Sequence, residues 1–160
     1  MKQFLPKEAC LKCQGCCRFA EAADVWAPNL LDKEISLLSK RSAGSISTDK
    51  KIKPVFSKDK DIFFCPFLNY SDNKCRAYSC RPFECRLYPF LINRSAGRVY
   101  LAADPNCPFI AGKMETKQFK DYAAYLARLL NGRAFRKMLK DNPQVIQEYP
   151  QAANIALIKE

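Results

Sequence analysis

Four cysteines lie within the eight residues Cys10–Cys17, in the order Cys10-Leu-Lys-Cys13-Gln-Gly-Cys16-Cys17. No other feature restricts this chain as strongly. Five further cysteines follow at Cys65, Cys75, Cys80, Cys85 and Cys107, and the sequence contains no histidine. Cysteines serve as disulfide partners, as metal ligands or as small buried hydrophobes. The third role accounts for one or two thiols in an ordinary domain, but not for a cluster this dense. Disulfides fit badly as well. Met1 to Lys12 has no apolar run long enough for a signal peptide, and an odd set of nine cysteines leaves one over. No stretch approaches the roughly 20 apolar residues needed to cross a bilayer. The expectation is a cytoplasmic protein without a membrane segment, its thiols kept reduced.

Metal ligation explains the spacing. A gap of two residues lets neighbouring thiolates converge on one centre, as in zinc knuckles and ferredoxins. Cys10, Cys13 and Cys16 reproduce the C-x2-C-x2-C that begins the bacterial ferredoxin pattern, but its x3-C-P continuation is missing. Cys17 follows Cys16 directly instead. Adjacent side chains diverge, so Cys16 and Cys17 suit different sites or different metals. Gly15 allows a tight turn between ligands.

The second group, Cys65, Cys75, Cys85 and Cys107, is spread along the chain, and folding must gather it. Pro66 and Pro108 follow Cys65 and Cys107 and hold each in extended geometry. Arg81 and Arg86 stand beside Cys80 and Cys85. As cofactor-binding residues they would offset thiolate charge and donate hydrogen bonds to sulfur. The plainer alternative is that both are solvated.

The chain is 48% hydrophobic and 27% charged, a globular balance. Its formal charge of +11 treats cysteine as neutral. A four-thiolate zinc site carries about −2, so two such sites would bring the total to about +7. Part of the basic excess therefore balances sulfur. The remainder gathers at Lys50, Lys51, Lys53, Lys58 and Lys60, and at Arg128, Arg133, Arg136, Lys137 and Lys140. These residues read either as two solvated faces or as phosphate contacts.

Local patterns predict an α+β fold. It is a small, irregular, cysteine-rich metal-binding domain with a β-hairpin and a C-terminal helix. Leu31, Ile35 and Leu38 share one face of a short helix over Leu31–Lys40, with Asn29 or Asp32 as its cap. Ser42–Lys60 reads as a surface connection, with a short strand in Lys51–Phe56. Leu87–Asn93 and Arg98–Ala103 read as strands joined at Arg94–Gly97. Glu115–Leu130 is the clearest helix and Ala134–Leu139 a second helical piece. The expected division is a domain over 1–142 and a short, loosely held tail over 143–160.

Taken in order, these residues resemble a known family. Cys10-x2-Cys13-x2-Cys16-Cys17, Cys65-Pro-Phe-Leu68, Cys75, Arg81-Pro-x-x-Cys85-Arg86 and Pro89 are similar to the bacterial CxxCxxCC cysteine-cluster family, described as zinc- or iron-chelating. The resemblance covers about residues 8 to 109. It implies eight metal ligands: Cys10, Cys13, Cys16, Cys17, Cys65, Cys75, Cys85 and Cys107. Cys80 departs from the pattern, since that position is usually polar in the family.

All-thiolate ligation suits an iron–sulfur cluster or zinc. The ferredoxin-like triplet favours iron. The first reading is an iron–sulfur protein with a redox or cluster-dependent role and a redox or protein partner. The alternative is a zinc-stabilised module that binds nucleic acid or protein. Without histidine there is no Ser–His or Cys–His pair, and no glycine-rich phosphate loop occurs. An enzymatic role, as an iron–sulfur oxidoreductase or an accessory to one, would draw its chemistry from the metal. Glu84 reads as a helix-supporting or surface residue, with a proton carrier beside a cluster as the other option.

Overall fold

The computed structural model describes residues 3–13 and 15–159. Contacts divide the chain into two units, one formed by Pro6–Arg86 and the other by Met1–Leu5 with Leu87–Glu160. The α+β expectation holds, with helices and two small antiparallel sheets.

In the unit Pro6–Arg86, α1 (Lys7–Cys13) carries Cys10 and Cys13. The sequence reading assigns no helix to this stretch. A spacing of three residues is a ligand rhythm and also nearly one helical turn. The helix α2 (Asp32–Ser39) follows, with Leu38 buried. Its cap is neither Asn29 nor Asp32. Leu31 occupies that position, and the Glu34 side chain accepts a hydrogen bond from the Leu31 N–H at 3.0 Å.

Three very short strands form the sheet: β1 (Arg18–Phe19), β2 (Val55–Ser57) and β3 (Ile62–Phe64), in the order β1-β3-β2. Arg18 pairs with Phe64, which sets the residue after Cys17 opposite the residue before Cys65. The core joins Leu30, Leu38, Ile52, Phe67 and Ala77, with Cys65, Cys75 and Cys80 packed against it. The short helix α3 (Phe83–Leu87) carries Cys85 at the end of this unit.

In the second unit, β4 (Phe90–Ser95) and β5 (Arg98–Ala103) form the predicted hairpin. Ala96 and Gly97 both adopt positive φ, 49° and 72°, the geometry of a tight two-residue turn. The helix α4 (Lys117–Leu130) begins at Thr116, whose hydroxyl accepts from the Phe119 N–H at 3.3 Å. Phe119, Ala123, Leu126 and Leu130 form its buried stripe. Phe119 stacks on Phe90 at 5.2 Å, and Phe4 meets both edge-on. The second helical piece is α5 (Arg133–Asp141).

The segment expected as a loose tail is ordered instead. Its β6 (Ala153–Ile158) pairs antiparallel with β5 and completes a sheet ordered β4-β5-β6. Two asparagines fasten it. Asn131 donates to the Leu157 carbonyl at 3.1 Å and accepts from the Lys159 N–H at 2.8 Å. Asn93, only 3% exposed, donates to the Asn154 side chain and accepts from the Tyr149 N–H, each at 2.8 Å. Replacing Asn93 with alanine would strand the Tyr149 N–H in a buried site, at a cost of about 1–3 kcal/mol. The expected result is faster amide exchange at Tyr149 and through β6, with metal content unchanged. Among the described residues, no helix is long and apolar enough to cross a membrane.

Candidate metal centre

Local backbone contacts gather the thiols of the unit Pro6–Arg86. After α1 the chain turns through Gly15, whose carbonyl accepts from the Arg18 N–H at 2.9 Å. A Cβ on Gly15 would stand 3.3 Å from the Cys13 sulfur. Glycine is thus used here for close approach to a thiol. The Cys17 carbonyl then accepts from the Cys65 N–H at 3.0 Å, which joins the first cysteine group to the second. Cys75 is brought alongside by its bridge to Leu68. A 3-10 turn over Tyr78–Cys80 carries the chain on to Arg81.

The sulfurs interact strongly. Cys16 is hydrogen-bonded to Cys17; this bond, then burial of the sulfur, raises the Cys16 pKa well above the ordinary thiol value. The bond to Cys16 alone would favour a Cys17 thiolate, but a hydrogen bond to Cys65 and burial outweigh it. The Cys17 thiol is pushed up to about 12. Burial raises Cys85 strongly, and the charges of Cys17, Cys16 and Cys75 add to the effect. Burial also raises Cys75, opposed by the Ala77 N–H and the Arg81 charge. Cys16, Cys17, Cys65, Cys75, Cys80 and Cys85 are thus electrostatic neighbours. Of these, Cys16, Cys17, Cys75 and Cys85 resist ionisation, through burial and the neighbouring sulfurs, and a soft cation would supply the compensating positive charge. The donor set therefore fits a thiolate-bound metal.

As they stand, the side chains are arranged as a hydrogen-bonded thiol cluster. Among the described residues, no group of three or more cysteine or acidic side chains has the convergence that holds an ion. No disulfide joins any of the nine cysteines.

The two arginines differ in placement. The Arg81 guanidinium lies 3.8 Å from the centre of the Tyr78 ring, and its charge favours ionised Cys16 and Cys75. Arg86 is half exposed and lies 3.5 Å from the Glu34 carboxylate. Cys107 belongs to the other unit. It is 1% exposed, and its backbone N–H donates to the Asp104 carbonyl at 3.1 Å.

Two carboxylates hold the helix that bears Cys85. Glu34, in α2, accepts from the Phe83 N–H at 2.8 Å as well as from Leu31. Glu84 accepts from the Asn29 N–H at 2.7 Å, and burial pushes its pKa up to about 8. The helix-supporting reading of Glu84 matches this placement. Glu34 was not singled out from the sequence. Its one signal is the acidic residue three positions after a helix start.

The family model of a "Putative zinc- or iron-chelating domain" matches residues 9–108, more than half of the chain and every one of its cysteines. The chain belongs to the CxxCxxCC family. No curated protein and no solved structure matches it. The CxxCxxCC match covers the thiol cluster, the Glu34 and Glu84 supports and the β4–β5 hairpin, and it ends beside Cys107. It makes this a cysteine domain of the metal-chelating kind, with zinc and iron both within its description.

Proposed function

We propose that this CxxCxxCC domain binds an iron–sulfur cluster and that its role is redox or otherwise cluster-dependent, in partnership with another redox protein. The observation that carries this reading is the chain of coupled thiols Cys16, Cys17, Cys65, Cys75 and Cys85. Cys10 and Cys13, on α1 immediately before it, are the nearest further donors in sequence. Iron is favoured over zinc by the C-x2-C-x2-C rhythm of Cys10, Cys13 and Cys16. When bound, a cluster would supply one-electron chemistry. The protein holds the sulfurs, shields Cys65, Cys75 and Cys80 with the core that contains Phe67, and offsets thiolate charge with Arg81. With that shielding, Arg81 would tune a cluster's potential.

The deciding experiment is anaerobic purification with metal and sulfide analysis and a visible spectrum. Iron with acid-labile sulfide and a brown colour supports the proposal. Colourless protein with stoichiometric zinc would select the structural alternative, and a chain that takes up neither metal would overturn both.

Metal binding should also release protons. At pH 7 even an ordinary thiol is mostly protonated, and Cys16, Cys17 and Cys85 are shifted further in that direction. A four-thiolate centre should therefore release about four protons per metal centre, and apparent affinity should rise with pH. Calorimetry in buffers of different ionisation enthalpy measures this number. A value near zero would exclude thiolate ligation.

A further inference from the structure

Beyond residue 108, where the family match stops, α5 carries a charge pattern that the metal domain does not explain. Arg133, Arg136, Lys137 and Lys140 are spaced i, i+3, i+4 and i+7, so they form one row along the helix. All four are exposed, as is Arg128 in the last turn of α4. From Tyr122 to Lys140 the sequence has five cations and no acidic residue. Asp141 pairs with Lys137 at 2.7 Å.

We propose that this row binds the phosphate backbone of a nucleic acid. The first reason is fit. Seven residues of helix span about 10 Å, and a polynucleotide offers closely spaced negative charge over such a length. The second is chemistry. Three of the five cations are arginines, whose planar fork matches phosphate oxygens two at a time. The third reason sets a phosphodiester apart from an anionic bilayer. Membrane-surface helices place bulky apolar side chains beside their cations and insert them into lipid. In α5, Leu139 is buried in the protein, and Phe135 and Met138 are half covered. Little apolar surface remains for lipid. Contacts of this type position a duplex or strand without reading its bases. The proposal is independent of which metal the cysteines hold.

The test is fluorescence anisotropy with the full metal-loaded chain and two probes, a labelled 20-base-pair DNA duplex and a 20-nucleotide RNA. Binding of either is expected at 50 mM salt. The slope of log affinity against log salt should be about −3 to −4.5 for four or five phosphate contacts. The double variant Arg133→Glu with Arg136→Glu should weaken binding at least about 30-fold. Arg98→Glu, a reversal on β5 outside the row, should have less than about a threefold effect. Melting curves and metal content confirm that both variants are folded. The proposal is overturned if neither probe binds at 50 mM salt, or if the double reversal leaves binding intact. It is equally overturned if phosphatidylserine vesicles bind the chain while both nucleic acids do not.

Discussion

Cys17→Ser is expected to lower metal affinity by about 100-fold or more and to yield protein largely without metal. A serine hydroxyl is a far poorer ligand for soft metals than a thiolate. Structural metal binding is coupled to folding, with whole-site free energies of roughly 10–16 kcal/mol for zinc. Loss of one ligand in four removes a substantial part of that. Cys17 is the position where the effect should be greatest. Its side chain is hydrogen-bonded to both Cys16 and Cys65, and its backbone carbonyl receives the Cys65 N–H. The region Pro6–Arg86 should then lose protection in amide exchange, while β4–β6 keep theirs. Cys80→Ser is the matching control. Cys80 lies beside Cys75 in the core but outside the family pattern, and its replacement should leave metal content near the starting value. Full metal stoichiometry in Cys17→Ser would remove Cys17 from the ligand set and with it the proposed centre.

The cysteine pattern carried the metal chemistry into view because ligand spacing is a local property. Cys10, Cys13, Cys16 and Cys17 announce themselves within eight residues. The hairpin and α4 were legible for the same reason. Two short apolar runs, Phe90–Ile92 and Val99–Ala103, close through Ala96-Gly97, and a 3.6-residue stripe extends from Phe119 to Leu130. What stayed hidden depends on partners far away in the chain. The strand β6 has apolar side chains at Ile155 and Leu157 that stand partly exposed, so no buried pattern marks it. Its stability comes from β5, at least 50 residues earlier, and from Asn93 and Asn131. The strands β1 and β3 are two and three residues long, too short for any periodicity to register. The helix α1 escaped because its i, i+3 cysteines satisfy two patterns at once.

The placement of Arg81 and Arg86 shows a related limit. Both flank cysteines in sequence, and both carry the same charge. Stacking on Tyr78 turns one toward the sulfurs' electrostatic field, and a carboxylate from α2 draws the other. Nothing local distinguishes them. The division of labour is set by Glu34, about 50 residues upstream, and the same residue governs how firmly Cys85 is presented.

Glu34→Ala should therefore destabilise the unit Pro6–Arg86 by about 2–4 kcal/mol, since two N–H groups in buried surroundings lose their acceptor at about 1–3 kcal/mol each. The Glu34 side chain is 8% exposed, accepts from Leu31 and Phe83, and lies near Arg86. Water has poor access to replace it. Phe83 opens the helix that bears Cys85, so metal should also dissociate faster. The loss should depend on pH with a definite sign. Burial raises the Glu34 pKa above its usual 4.5, against the opposing hydrogen bonds from Leu31 and Phe83. The folded state then holds this proton more tightly than the unfolded state does. The stability contributed by the protonated group is fully present below pH 4.5 and is lost as pH rises through the raised value. The alanine variant lacks this dependence, so the gap between the two proteins should be wider at pH 5 than at pH 8. Urea unfolding followed through Trp26 fluorescence at the two pH values measures both quantities, because Trp26 lies in the same unit. A loss under about 0.5 kcal/mol at either pH would show that Leu31 and Phe83 find other acceptors. A gap that widens toward pH 8 would show that the carboxylate's hydrogen bonds outweigh its burial.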